Sequence, residues 1–160
     1  MAREILLLRS ARHLFTAVRV LRTRFPESRI TVASQTGTDE LLDLLDIPAD
    51  QRVLGPWRQF TPTALLRTAV GRALRRRRFD EVAVLWLDPD GRGYGNVNRA
   101  ALLLAPGGFL AITPTGDLIR QTPRRVLTAE ARVAARSMAA AILIGALLVV
   151  PARLMRLVGL

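Results

Sequence analysis

The sequence predicts an α/β fold, a single doubly wound parallel sheet with helices on both faces, followed by a C-terminal hydrophobic, membrane-associated helix. Three observations carry this expectation. Short apolar runs alternate with segments of helical spacing along residues 1–118. Those runs are apolar at successive positions, as strands buried on both faces are. Residues 137–152 (SMAAAILIGALLVVPA) then carry no charge at all.

The first strand is Glu4–Leu8, EILLL, a short apolar run. Over residues 11–25, Leu14, Val18, Leu21 and Phe25 share one helical face, with Arg12, Arg19 and Arg22 away from it. Pro26 stops that helix, because the residue before a proline resists helical angles. Residues 29–34 (RITVAS) are rich in branched side chains and form the second strand. Residues 38–46 (TDELLDLLD) form a helix with acids in its first turn, where the macrodipole favours them. A short strand over 51–55 lies between Pro48 and Pro56. Thr61 caps the next helix, with Pro62 at its first position, and that helix is expected to run to about residue 78. Residues 80–87 (DEVAVLWL) form a buried strand, 88–95 a loop, 96–104 a helix, 108–113 (GFLAIT) a strand and 114–116 a turn. Residues 117–127 are expected to run over the surface. The resulting organisation is a domain over 1–118, a basic linker over 119–132 and a membrane-associated helix over 133–160.

A sixteen-residue helix spans roughly 24 Å, against a hydrocarbon core of about 30 Å. Arg136, Arg153 and Arg156 lengthen the segment by sending their charged heads to the interface. Arg124, Arg125, Arg132 and Arg136 precede it, which places the domain on the cytoplasmic face of the cytoplasmic membrane. Arg153 and Arg156 follow it, and with Pro151 they leave a crossing helix and one that enters and returns both open. A buried core helix is the competing reading. At the N-terminus the apolar core is five residues, shorter than a signal peptide's.

Composition excludes several chemistries. The chain has no cysteine, so disulfides, thiolate zinc sites and cysteine nucleophiles are out. Its one histidine, His13, cannot build a multi-histidine metal site, and neither a metal nor a cofactor is expected. All 24 basic residues are arginine, which removes lysine Schiff-base chemistry. The net charge of +11 calls for an anionic partner: phospholipid, a phosphorylated substrate or nucleic acid. Nine arginines face seven acids in residues 1–60, eleven face five in 61–125, and four face one in 126–160, so the excess lies in the middle and the tail. Few aromatics and no recognition motif rank nucleic acid last.

In an open α/β sheet, ligands bind beyond the carboxyl ends of the strands. Three segments qualify. Arg9, Ser10, Arg12 and His13 follow the first strand; Asp88, Asp90, Gly91, Arg92, Gly93, Tyr94, Gly95 and Asn96 follow the fourth; Thr113, Thr115 and Asp117 follow the fifth. The loop over 88–96 is the most distinctive. Its glycines admit a ligand close to the backbone, and the helix behind it offers free N–H groups to an anion. The spacing is G-x-G-x-G, not the dinucleotide fingerprint, and a tight loop with no ligand explains it equally well. Arg9, Ser10, Gly91, Arg92, Gly93, Tyr94, Gly95 and Asn96 form the expected ligand-binding set. His13, Asp88 and Asp90 are the candidate acid–base groups, against a first-turn histidine with no catalytic role and an Asp-Pro-Asp-Gly turn. Arg75–Arg78, at the end of a helix, either complement its dipole or meet anionic headgroups.

ILLLRS, AVRVLRTRFPESRITVAS and RRRRFDEVAVLWL together resemble the acceptor-side N-terminal half of GT-B glycosyltransferases related to the heptosyltransferases. The match covers about residues 4–87, with Leu21, Arg22, Phe25, Pro26 and Ile30–Val32 in register. The resemblance implies a Rossmann-like domain and a role in envelope or lipid-linked glycan synthesis. The family carries its catalytic base in a Gly-Asp loop after the first strand. Here Arg9 runs straight into Ser10, Ala11, Arg12 and His13, so no residue inherits that base. The family binds its nucleotide-sugar in a second domain, and here an apolar tail follows instead. The expected partners are therefore a membrane, a donor-binding protein chain and a lipid-linked or phosphorylated sugar. A non-catalytic membrane adaptor is the alternative.

Overall fold

A computed structural model of the chain describes residues 3–9, 13–57, 59–91 and 93–157, with side chains described as far as residue 140. Six strands form one sheet: β1 (Glu4–Leu8), β2 (Arg29–Gln35), β3 (Arg52–Gly55), β4 (Glu81–Leu85), β5 (Phe109–Ile112) and β6 (Leu118–Gln121). Their order is β3-β2-β1-β4-β5-β6. The first five are parallel, and β6 returns antiparallel to β5. The helices are α1 (Leu14–Arg24), α2 (Asp39–Asp43), α3 (Pro62–Arg67), α4 (Ala69–Arg76), α5 (Gly95–Leu104) and α6 (Pro123–Leu157). The expected doubly wound, Rossmann-like α/β domain is therefore present.

The uninterrupted apolar strands explain the two-sided burial. In β1, Ile5 and Leu7 face a core shared with Leu14, Val18 and Leu21 of α1 and with Leu42. Leu6 and Leu8 face the other core, with Leu65, Leu74, Ala100, Ala101 and Val126. Each such side chain, fully withdrawn from water, contributes about 1.5–3 kcal/mol. An alternating strand could supply only one of these faces.

Two expected elements come out differently. The helix expected from Thr61 to about residue 78 is two helices. Thr68 interrupts it in an extended conformation, its hydroxyl donating to the Ala64 carbonyl and accepting from the Gly71 N–H. The break folds α4 back onto α3 so closely that a Cβ on Gly71 would lie 2.5 Å from the Leu65 backbone. The surface linker expected over 117–127 is instead β6 and the first turn of α6. Ile119 packs on one core and Leu118 on the other, so this four-residue segment gains enough burial to join the sheet. The compact first unit accordingly reaches residue 126, and the second covers 127–160. Within the second unit the helix is already under way before residue 133, and Leu127, Val133 and Met138 are exposed. Among the described residues no helix is long and apolar enough to cross a membrane. Most of the uncharged run over 137–152 belongs to positions whose side chains lie outside the described residues.

Candidate functional site

Strand order reverses between β1 and β4, and a cleft of about 240 Å³ opens beyond the carboxyl ends of the strands. Its lining comes from four connections: Arg9 after β1, Gln35 at the end of β2, Gln59 and Phe60 after β3, and Gly93, Tyr94, Asn96 and Val97 at the start of α5. Of the expected ligand-binding set, the fold brings together Arg9, Gly93, Tyr94 and Asn96. Gly95 opens α5 beside them, and Gly91 does not line the cleft. Ser10 and Arg92 lie outside the described residues.

Arg9 is held at the strand end by its own N–H, which donates to the Ala33 carbonyl at 3.0 Å and prolongs the β1–β2 ladder. Its guanidinium donates to the Ser34 hydroxyl at 3.2 Å, and Ser34 in turn accepts from Thr38 at 2.9 Å. Among the described residues no carboxylate pairs with it. Burial pushes the Arg9 guanidinium below its ordinary pKa. That ordinary value is so high that the group stays cationic near neutrality. The result is a partly desolvated positive charge facing a cleft lined by two primary amides of glutamine, the amide of Asn96 and two aromatic rings.

The loop over 88–95 is fastened from within. The Asp88 carboxylate accepts from the Asp90 N–H at 2.7 Å, and Gly91 and Tyr94 donate to Asp88 and Gly91 carbonyls. The Tyr94 hydroxyl accepts from the Leu87 N–H at 3.0 Å. Desolvation raises the Tyr94 pKa; the Leu87 bond opposes this and the nearby Asp88 charge adds to it. The buried Trp86 indole donates to Asn98 at 3.1 Å and lies near the Tyr94 ring. Gly91, at φ +67°, passes so close that a Cβ would lie 2.7 Å from the Trp86 ring. Two of the three glycines therefore serve the turn: Gly91 for space and angle, Gly93 for its φ of +80° in the open.

The remaining candidates do not converge on the cleft. His13 is exposed just before α1 and makes no capping bond. Asp88 and Asp90 shape the turn, and neither lines the cleft. Thr113, Thr115 and Asp117 close on one another, with Thr115 donating to Asp117 at 2.6 Å and the Asp117 N–H donating to Thr113 at 3.0 Å. No cluster of three histidines or acids that could hold a metal occurs among the described residues. Two broader depressions, of about 480 and 520 Å³, lie along α1, the first between it and the 116–118 turn.

Sequence reasoning missed Gln35, Gln59 and Phe60. Neither glutamine stands out by residue type, and only the crossover to β4 brings the 59–60 turn opposite Arg9. Fold and site together define a doubly wound α/β domain with an Arg9-lined cleft at its switch point. Comparison with protein-family models, with curated proteins and with solved structures gives no match.

Proposed function

We propose that the protein is a membrane-anchored, glycosyltransferase-like component of envelope or lipid-linked glycan synthesis. Its cleft holds the phosphate of a phosphorylated or lipid-linked sugar, and a separate chain binds the sugar donor. The observation that carries this reading is Arg9, a charged group that no carboxylate pairs with among the described residues, at the ligand edge of the sheet. A phosphate would satisfy it with a charge-assisted bond, the amides of Gln35, Gln59 and Asn96 suit sugar hydroxyls, and the half-buried Tyr94 offers an edge for a sugar ring. The tail over 133–160 acts as the membrane segment, with the domain on the cytoplasmic side. Exposed Leu127, Val133 and Met138 agree with an apolar environment for α6.

A second reading, a non-catalytic membrane adaptor on a degenerate transferase fold, is favoured by one observation. Among the described residues the cleft lining contains neither a carboxylate nor a histidine to act as general base.

The test is calorimetric titration of the detergent-extracted full chain with a hexose 1-phosphate, UDP and a polyprenyl-phosphate sugar, alongside transfer assays. Binding of a phosphorylated sugar that is lost in Arg9→Met, without turnover by the chain alone, is expected. No binding of any of the three ligands refutes the reading, and robust turnover by the single chain refutes the divided enzyme.

A further inference from the structure

The sheet edge opposite the cleft carries a different chemistry. Helices that run antiparallel to the strands end there, and so do arginines. Arg24 closes α1, Arg75 and Arg76 close α4, and Arg78 follows; all four are exposed. Neighbouring arginines are tied down. Arg77 pairs with Glu4 at 3.7 Å and lies over the Phe79 ring, while Arg3 and Arg120 hold the buried Glu81 carboxylate. The exposed acids on this edge are Glu27, Asp43, Asp46, Asp50 and Asp80; Asp43 pairs with Arg52 and Asp50 with Arg29, and the Asp80 carboxylate accepts from the Glu4 N–H at 2.8 Å. The opposite edge holds Asp39, Glu40, Asp88, Asp90 and Asp117 together with Arg9. The antiparallel β6 also carries the chain back to the basic edge, since Gln121 pairs with Phe109 at the start of β5. The first unit ends there at residue 126.

We infer that this arginine-rich edge docks on anionic phospholipid headgroups. The inference rests on the membrane reading of the tail and adds to it which side of the domain meets the bilayer. A lipid surface fits better than nucleic acid, because the free charges sit at separate helix ends over a broad edge with no exposed aromatic among them. The structure thereby turns the Arg9 cleft away from the headgroups.

The chain lacks cysteine, so single labelling sites can be introduced without background. The experiment uses the full chain with an environment-sensitive fluorophore on Ser28→Cys, at the basic edge, or on Asp90→Cys, at the cleft edge. Each is mixed with vesicles of phosphatidylcholine alone or with 30 % phosphatidylglycerol, as probe compositions set at roughly cellular anionic density. Flotation with both vesicles reports the tail. A blue shift at position 28 and not at 90, only with phosphatidylglycerol, is the expected result for the edge. Combining Arg75→Gln, Arg76→Gln and Arg78→Gln should weaken that response about 10²-fold while flotation persists, since each charge near the surface is worth roughly fivefold. Flotation without a shift at 28, or an equal shift at 90, overturns the docking and leaves the tail reading intact. Failure to float on phosphatidylcholine overturns the tail reading, and the edge then stands or falls on salt-sensitive, arginine-dependent binding to phosphatidylglycerol. Displacement from those vesicles by a short RNA duplex at equal charge overturns the lipid assignment.

Discussion

Replacing Arg9 with methionine separates a ligand-binding group from a structural strut. The substitution keeps an unbranched stem of similar length and removes the charge. On the structural side it deletes one bond, the 3.2 Å contact with Ser34, and Ser34 retains its bond from Thr38. A hydrogen bond to a charged group is worth about 1.5 kcal/mol at this length. Removing a partly desolvated, uncompensated charge offsets much of that. The net change in stability should stay within about 1 kcal/mol, or roughly 3–5 °C in melting temperature for a domain of this size. Binding should respond far more. Loss of a charge-assisted contact to phosphate costs roughly 2 kcal/mol, about 30-fold in dissociation constant. Urea denaturation and calorimetric titration with a hexose 1-phosphate, on the same preparations, give both numbers. A stability loss above about 2 kcal/mol with binding unchanged would refute the reasoning, because Arg9 would then be bracing the β1–β2 ends.

Tyr94 is the only tyrosine in the chain, so its ionisation can be followed by ultraviolet absorbance without overlap from another phenol. Burial raises its pKa, so the folded protein holds the phenolic proton longer than the unfolded chain. The associated stability is fully present below the unfolded value near 10 and declines as pH rises through the folded value. A native-state midpoint at or below that of the urea-unfolded chain would contradict this. Gly91→Ala should cost about 2–4 kcal/mol, since it combines a left-handed backbone with displacement of Trp86; Gly93→Ala should cost only about 1–2 kcal/mol for the backbone. Equal losses in chemical denaturation would show that the Trp86 contact does not matter. Gly71→Ala should destabilise by about 1–3 kcal/mol, despite alanine's better helix propensity, because the methyl group meets Leu65 backbone. A gain in denaturation midpoint would exclude that close approach.

The parallel sheet was legible because β1 and β4 are apolar at successive positions, and no other fold class demands that so directly. The glycine loop and Arg9 were legible as strand-end residues once the strands were placed. What escaped depended on contacts between distant segments. Thr68 is an ordinary residue in a run of good helical spacing, and its role as a double cap follows from α4 packing on Leu65. LIRQ over 118–121 is too short and too polar to announce a strand, and becomes one only because β5 presents a free edge. Glu81 sits at the mouth of an apolar strand, and nothing local reveals that Arg3 and Arg120 will enclose it. Asp88 and Asp90 read as possible chemistry or as a turn, and the bond from the Asp90 N–H to Asp88 gives them a turn's role.

The fastening of the loop by Leu87 to Tyr94 and by Trp86 to Asn98 has a kinetic consequence. Tyr94 and Asn96 are already placed before a ligand arrives, so little ordering entropy is left to lose on binding. Under the proposed phosphate-binding role, association follows encounter with the Arg9 charge and needs no closing step. Affinity differences among ligands should then appear in how slowly each one leaves.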